Sequence, residues 1–266
     1  MNAPQSRVPS SNDTSGSLPV SDQTPITHRQ HLVFDADDTL WENNIYFEEA
    51  FDRFVTFLDH EHLTSTEIQA LLDEAELDTR TTHGYGARAF AHSLRKTFIR
   101  ITGLRDDHPH VDEAERLGLA VLDAPFALMK GVVETLRALR PHHDLLMLTK
   151  GPEAEQQAKI DRSGIAELFD ETIITPEKTA DTFIELLTTR RLSVADAWMI
   201  GNSPRSDINP ALTAGMNAIF VPHPRTWHLE VEEFHAVPHP GRLFLELPSF
   251  AALATTFAGP SPKSPD

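Results

Sequence analysis

Five short apolar runs limit what this chain can fold into. They are His31–Phe34, Leu145–Leu148, Glu171–Ile174, Ala197–Ile200 and Ala218–Val221. Each is poor in polar residues and is followed by Asp, Thr, Pro, Gly or Asn, which is typical of strands buried on both faces of a parallel sheet. Segments with helical spacing, such as Glu153–Ser163 and Thr179–Arg190, lie between the last four runs. This alternation predicts an α/β fold, a three-layer sandwich with a central parallel sheet.

The long segment between the first and second runs has a different pattern. Four stretches in it have amphipathic helical spacing: Phe47–Asp59, Ser65–Glu76, Gly86–Ile101 and Val111–Leu122. We therefore expect residues 45–125 to form an all-helical cap domain inserted after the first strand. Residues 29–44 and 126–258 would then form the α/β core domain.

The two ends of the chain have a third kind of composition. Residues 1–28 and 259–266 are rich in Ser and Pro. Such segments have too few apolar side chains to offset the entropy cost of ordering. We expect a disordered leader and a disordered tail.

The charge balance argues against one class of partner. The 266 residues include 40 acidic and 23 basic side chains, for a formal net charge of −17. Binding to nucleic acid needs clustered Lys and Arg, so we expect no nucleic-acid partner, whereas a small phosphorylated ligand needs only a local positive site. The absence of cysteine excludes disulfides, thiolate catalysis and zinc–cysteine sites.

Hydropathy also bears on location. No apolar run is long enough to span a bilayer, and the N-terminal residues lack the basic and apolar stretches of a secretory signal. We expect a cytoplasmic protein with no membrane partner. The spacing of the fourteen histidines matches no zinc-binding pattern. The sequence leaves the oligomeric state open.

Polar residues follow each of the first four predicted strands. They are Asp35, Asp37 and Thr39 after the first run, Thr149 and Lys150 after the second, Thr175–Lys178 after the third and Gly201–Asp207 after the fourth. Ligands of open parallel sheets bind beyond the carboxyl ends of the strands, so these side chains should meet. Carboxylates, a hydroxyl and amines at one edge suit Mg²⁺-assisted phosphoryl transfer.

These residues resemble the four motifs of the haloacid dehalogenase-like (HAD) superfamily. The matches, in order, are Asp35-Ala36-Asp37-Asp38-Thr39 for Asp-x-Asp-x-Thr, Thr149 for the second motif, Lys178 for the third, and Gly201-Asn202 through Asp207 for the fourth. The resemblance covers roughly residues 30 to 225. It implies a Rossmann-like hydrolase fold whose helical cap closes over the site.

The resemblance also implies roles for four side chains. Asp35 would be the nucleophile that forms an aspartyl-phosphate, and Asp37 would be the general acid and then the base for water. Thr149 and Lys178 would bind the phosphoryl oxygens of the substrate and spread their charge.

A metal site is implied in the same way. Mg²⁺ would be held by Asp35, the backbone carbonyl of Asp37, Asp207 and Asn202. Asn202 departs from the family pattern, in which Asp is commoner at that position. The amide weakens the expected metal affinity, although Asp207 keeps a negative charge in the loop.

Each assignment has a purely structural alternative. Asp35 and Asp37 could be turn residues, Asp38 a local cap, Thr149 a helix N-cap, Asp207 a helix cap and Lys178 a surface lysine, with Lys150 and Lys159 competing for its role. The loop His83-Gly84-Tyr85-Gly86 could be a specificity loop or a plain turn between cap helices. The stretch 222–227 could border the site, or Trp227 could serve only in packing.

The reaction type rests mainly on Asp37. Family members with dehalogenase activity lack this second carboxylate, so we expect phosphoryl transfer on a small phosphorylated metabolite. Phosphonate-cleaving members use a cap lysine, and Lys96 is the sole lysine between residues 45 and 125. Its place on an ordinary helix face disfavours that activity. A sugar-phosphate mutase and a catalytically weakened binding or regulatory relative stay open as alternatives.

Overall fold

The computed structural model describes residues 25–59 and 62–257. Its strands are β1 (His31–Phe34), β2 (Asp144–Lys150), β3 (Glu171–Thr175), β4 (Ala197–Gly201), β5 (Asn217–Phe220) and β6 (Phe244–Glu246). They form one sheet in the order β3-β2-β1-β4-β5-β6, and all neighbouring strands are parallel. The chain moves outward in one direction from β1 and in the other from β4, so the switch point of the topology lies between these two strands. Ligand sites of this fold class lie at such a point.

The first strand shows why the apolar runs form a buried sheet. Leu32 and Phe34 pack into the hydrophobic cluster on one face, together with Trp198. Val33 packs into the cluster on the other face, together with Phe183. Successive side chains of a strand point to opposite faces, so a strand covered on both sides must be apolar at every position.

Helices cover the two faces of the sheet. They are α5 (Val132–Leu139), α6 (Glu153–Ser163), α7 (Ala180–Arg190), α8 (Asn209–Thr213) and α9 (Leu253–Thr256). Gly164 ends α6 in the left-handed conformation, with a φ of 63°, as expected of a glycine after a helix. The predicted α/β fold with a central parallel sheet is confirmed.

Four further helices lie between β1 and β2, and we call them the cap helices. They are α1 (Asn44–Leu58), α2 (Ser65–His83), α3 (Ala87–Thr102) and α4 (Pro109–Leu119). They have their own hydrophobic core, which includes Phe54, Leu72, Leu94 and Val111. The domain boundaries at residues 45 and 125 stay a prediction.

Some elements differ from their predicted extent. The sequence pattern missed β6, because three residues at the edge of a sheet carry too little periodicity to stand out. Helix α2 runs to His83 rather than Glu76, and α4 ends at Leu119, where a 3₁₀ turn over Ala120–Asp123 replaces its predicted last turn.

The predicted ends of the chain are covered only in part. The expected disordered leader lies outside the described residues except for residues 25–28, and the expected tail at 259–266 lies wholly outside them. Within the described ranges, no helix combines the length and hydrophobicity that crossing a bilayer requires.

Candidate active site

Asp35 begins the loop that follows β1, at the switch point of the sheet. Its backbone N–H donates to the carbonyl of Ile200 on β4, at 2.9 Å, which holds the loop against the neighbouring strand. The Thr39 hydroxyl lies 2.9 Å from Asp35 Oδ2 and 3.2 Å from Asn202 Oδ1. The loops after β1 and β4 are thereby joined, as the sequence pattern predicted.

Lys178 brings two carboxylates together. Its ammonium donates to Asp35 Oδ1 at 2.5 Å and to Asp207 Oδ1 at 2.8 Å. Lys178 is 4 % exposed, which excludes the surface-lysine alternative. Burial lowers the pKa of Lys178, but the charges of Asp207 and Asp35 outweigh this and raise the pKa above its ordinary value. The ammonium therefore stays charged between its two partners.

Asp207 shows that one ammonium does not fully offset two buried acids. Burial and the charge of Asp35 raise the pKa of Asp207 to about 7, against the opposing effect of Lys178. Gly201 makes this arrangement possible, since a Cβ there would overlap the Asp207 carboxylate. Capping alone does not account for the contacts of Asp207. One carboxylate oxygen accepts from the backbone N–H of Ser203 at 3.0 Å, while the other accepts from the Lys178 ammonium.

This set of oxygens fits a hard divalent cation. Asp35 and Asp207 supply carboxylates, and the Asn202 amide keeps its oxygen beside Thr39 because its NH₂ donates to Thr226 Oγ1 at 3.0 Å. Oxygen ligands with two negative charges are the donors that Mg²⁺ prefers. The predicted ligands Asp35, Asn202 and Asp207 therefore lie together, at the end of β1 and β4.

Asp37 is held by a separate set of donors. Lys159 Nζ lies 2.9 and 2.8 Å from its two carboxylate oxygens, and Gln156 Nε2 lies 3.1 Å from Oδ2. The indole N–H of Trp41 donates to Oδ1 at 2.7 Å. The two lysines thus occupy different places in the site, since Lys159 contacts Asp37 while Lys178 contacts Asp35.

Thr149 is the last but one residue of β2 and is 1 % exposed, so it is not a helix N-cap. Its hydroxyl oxygen accepts from Gln156 Nε2 at 2.5 Å. Gln156 therefore links the predicted phosphate-binding hydroxyl to the predicted acid, Asp37. Sequence reasoning missed Gln156; its position near the start of α6, just after the second motif, was the available signal.

Lys150 belongs to a neighbouring polar group. Its ammonium donates to Ser206 Oγ and to Glu230 Oε1, both at 2.8 Å, and lies 4.0 Å from the centre of the Tyr85 ring. Burial raises the pKa of Glu230, but Lys150 and two serine hydroxyls outweigh this and lower it. Glu230 was also missed, because only the fold brings it to Lys150.

Asp38 has the structural role expected of it. Its carboxylate accepts from the backbone N–H groups of Asn43 and Asn44, at 2.9 and 3.1 Å, at the start of α1. His223 and Glu42 lie near it, and these three residues form a group whose geometry could hold a cation. This group is distinct from the predicted magnesium ligands. Its member Asp38 already accepts hydrogen bonds from the two backbone N–H groups at the start of α1.

All six predicted site residues line one cavity of about 360 Å³: Asp35, Asp37, Thr149, Lys178, Asn202 and Asp207. The wall opposite these six residues comes from the cap helices and includes Phe47, Leu72 and Phe90. We call it the cap wall. A volume of this size suits a small molecule.

The loop between α2 and α3 also lines the cavity. The Tyr85 hydroxyl donates to Glu177 Oε2 at 2.6 Å, and its ring packs edge-on against Trp227. Trp227 lines the cavity as well as packing. Next to this loop, Glu155 on α6 accepts from the N–H of Ala87 at 2.8 Å, which caps α3 from the core.

Comparisons with known proteins agree with this arrangement. The family described as haloacid dehalogenase-like hydrolase matches residues 30–215. A crystal structure of a haloacid dehalogenase-like family hydrolase from Xanthomonas campestris is 27 % identical, has a TM-score of 0.69, and aligns over 85 % of this chain and 93 % of that one. A comparison with curated proteins gives no match.

Two more distant structures share the fold. One is a predicted phosphoglycolate phosphatase from Haemophilus somnus 129pt, 18 % identical with a TM-score of 0.56, covering 85 % of this chain and 97 % of that one. The other is a 2-haloacid dehalogenase from Pseudomonas syringae pv. tomato DC3000, 19 % identical with a TM-score of 0.54, covering 86 % and 98 %. Because the family match extends over most of the chain, the protein belongs to the haloacid dehalogenase-like hydrolases.

Proposed function

We propose that the protein is a Mg²⁺-dependent phosphatase that hydrolyses a small phosphorylated metabolite in the cytoplasm through an aspartyl-phosphate on Asp35. The observation that carries this proposal is the second carboxylate, Asp37, which lines the same cavity as Asp35. Phosphate ester cleavage needs a proton donor for the leaving alcohol, whereas displacement of a halide ion does not.

The residues divide the reaction between them. An Asp35 oxygen attacks phosphorus as the bond to the alcohol oxygen breaks, and Asp37 donates a proton to that oxygen. Asp37 then takes a proton from water, which attacks phosphorus, breaks its bond to Asp35 and releases phosphate. Thr149 and Lys178 donate hydrogen bonds to the phosphoryl oxygens.

The supporting contacts keep these groups in place. Gln156 and Lys159 orient Asp37, and Thr39 orients Asp35 through its hydroxyl. Mg²⁺ held by Asp35, Asp207, Asn202 and the Asp37 carbonyl would offset the negative charge of the phosphoryl group.

The experiment is phosphate release from p-nitrophenyl phosphate and a panel of small phosphate esters, with Mg²⁺ and with excess chelator. We expect turnover only with Mg²⁺, and a fall of at least about a thousandfold in Asp35→Asn. The matched control is Asp161→Asn, since Asp161 is an exposed acid on α6 that bonds only Gln157 among the described residues.

Four results would contradict parts of this proposal. No Mg²⁺-dependent turnover on any ester would contradict phosphatase activity, and halide release from 2-haloacids would replace it with dehalogenation. Full activity in Asp35→Asn would contradict the role of Asp35. Isomerised product without free phosphate would show that the protein is a mutase.

A further inference from the structure

Glu76 on α2 is a carboxylate on the wall of the active-site cavity. It lines the same cavity as Asp35. Within residues 25–59 and 62–257, it accepts no hydrogen bond and forms no ion pair. The opposite side of the cavity comes from the α/β core, and we call it the core wall. Its acids differ from Glu76, since Asp37 is bound by Lys159 and Glu230 is bound by Lys150.

The cap wall that carries Glu76 also carries apolar side chains. Leu72, one turn earlier on α2, is 1 % exposed, and Phe90 on α3 is 6 % exposed; both line the cavity. Burial, with a smaller contribution from the charge of Asp73, raises the pKa of Glu76 to about 8. A carboxylate in such a place is unfavourable unless a ligand supplies a hydrogen-bonding cation or a proton neutralises it.

A second unsatisfied group lies one turn further along the helix. Thr79 is 1 % exposed and lines the cavity, and its hydroxyl has no hydrogen-bond partner among the described residues. Buried hydroxyls without a partner are uncommon in folded proteins. Glu76 and Thr79 are therefore two polar groups of the cap wall that have no partner among the described residues.

Arg80 does not neutralise Glu76, although their spacing of four residues on a helix favours an ion pair. The two side chains form no ion pair in the described structure, and the charge of Arg80 acts instead on the Tyr85 hydroxyl, where it opposes the rise in pKa. The cavity thus keeps an unpaired acid even though a cation is available on the same helix.

We propose that Glu76 binds a positively charged amine of the substrate, so that the substrate class is phosphate monoesters that carry a protonated amino group. The proposal rests on the phosphatase function proposed above. A substrate ammonium would pair with the Glu76 carboxylate in a site removed from water, where charge-assisted hydrogen bonds are strong.

The alternative is a protonated Glu76 that binds a neutral hydroxyl or carbonyl group. Glutamine separates the two possibilities, because it resembles the protonated acid in shape and hydrogen bonding but cannot carry a charge. A role that needs charge is lost in Glu76→Gln, whereas a neutral role is largely retained.

The experiment compares matched pairs of substrates that differ in the amine. O-phosphoethanolamine is paired with propyl phosphate, in which a methyl group replaces the ammonium, and glucosamine 6-phosphate is paired with glucose 6-phosphate. We expect kcat/KM to be about ten- to a hundredfold higher for the amine in at least one pair. In Glu76→Gln this ratio should fall to near one, and in the control Glu74→Gln it should persist, since Glu74 is an exposed acid on α2 that pairs with Arg100.

The outcomes distinguish this proposal from the one on which it rests. Phosphate release without an amine preference overturns the amine site and leaves the phosphatase function intact. An amine preference that survives in Glu76→Gln overturns the role of Glu76 and leaves the phosphatase function intact. A lack of turnover on every ester, p-nitrophenyl phosphate included, overturns both proposals.

Discussion

Glu230, which is buried, and Glu76, which is partly buried, are two carboxylates that line one cavity from opposite walls, and their pKa values move in opposite directions. Glu230, on the core wall, has its pKa lowered because Lys150 and two serines outweigh the effect of burial. Glu76, on the cap wall, has its pKa raised to about 8 because burial and, to a smaller extent, the charge of Asp73 act on it without an opposing cation among the described residues. The acids Asp35, Asp37, Asp207 and Glu230 of the core wall therefore each have a lysine partner before substrate binds, whereas Glu76 on the cap wall has no cationic partner among the described residues.

This difference matches the tasks proposed for the two walls. Catalytic groups work best when their hydrogen-bonding partners are already in place, since no reorganisation is then needed during the reaction. A wall that selects substrates gains specificity when its unpaired groups are satisfied by one class of ligand and not by others. Four predictions test the contrast.

Lys178→Met should have the largest effect, because it removes the cation that holds the core wall together. Asp35 and Asp207 would be left buried without their shared ammonium. We expect a loss of about 3–5 kcal/mol in the free energy of unfolding, measured with denaturant, together with loss of turnover. Added Mg²⁺ should restore part of the stability.

The control is Lys130→Met, which removes an exposed lysine. If both variants are equally stable, the carboxylates of the core wall do not depend on Lys178, and the contrast between the walls is wrong.

Asp37→Asn should lower kcat by roughly 10²–10⁴-fold on alkyl phosphates, since an amide cannot donate the required proton. The loss should be smaller on p-nitrophenyl phosphate, because nitrophenolate leaves without protonation. Steady-state kinetics on both substrates measures this difference. An equal loss on the two substrates would show that Asp37 is not the general acid.

Gly86→Ala should damage the contact between the walls. Gly86 has a φ of 92°, and an added Cβ would overlap the Glu155 carboxylate that caps α3. We expect a loss of about 2 kcal/mol in the free energy of unfolding from backbone strain and the displaced cap. A rise in KM should accompany it.

Gly103→Ala is the matched control, since Gly103 also has a positive φ, of 67°, but an added Cβ there would meet open space. Equal losses in the two variants would assign the effect to backbone conformation alone, and not to Glu155.

Glu76→Gln should have the smallest effect on stability, and it should be favourable. An acid whose pKa is raised on folding contributes most to the free energy of unfolding below its unfolded pKa, near 4.5. This contribution is lost as the pH rises towards the folded pKa of about 8. Glutamine cannot ionise, so the variant should gain on the order of 1 kcal/mol over the wild type at pH 8.5 and less at pH 6.

Denaturant unfolding at the two pH values measures this gain, with Glu74→Gln as the control. A Glu76→Gln variant that is destabilised at both pH values would show that Glu76 has a structural partner, and that the cap wall is complete without substrate.

Local pattern was enough to predict most of the fold and that the six predicted site residues would lie close together, but it missed Gln156 and Glu230. The run before Asp35 is apolar at successive positions because β1 is covered on both faces, and this pattern is present in the chain before it folds. The order of the strands then predicted that Asp35, Thr149, Lys178 and Asp207 would share one edge of the sheet. The pattern missed β6, which is too short to show a period.

The sequence by itself thus determined the α/β architecture and which residues meet at the strand ends, because hydrophobic periodicity and motif spacing are local properties. Only the tertiary structure decided which charge pairs with which. Lys178 binds Asp35 and Lys159 binds Asp37, although both lysines are far from their partners in the chain. Glu76 has no cationic partner in the part of the chain that the structure describes, for the same reason. Ion pairs depend on distances of a few ångströms between distant segments, and these distances exist only after the walls of the cavity have packed together.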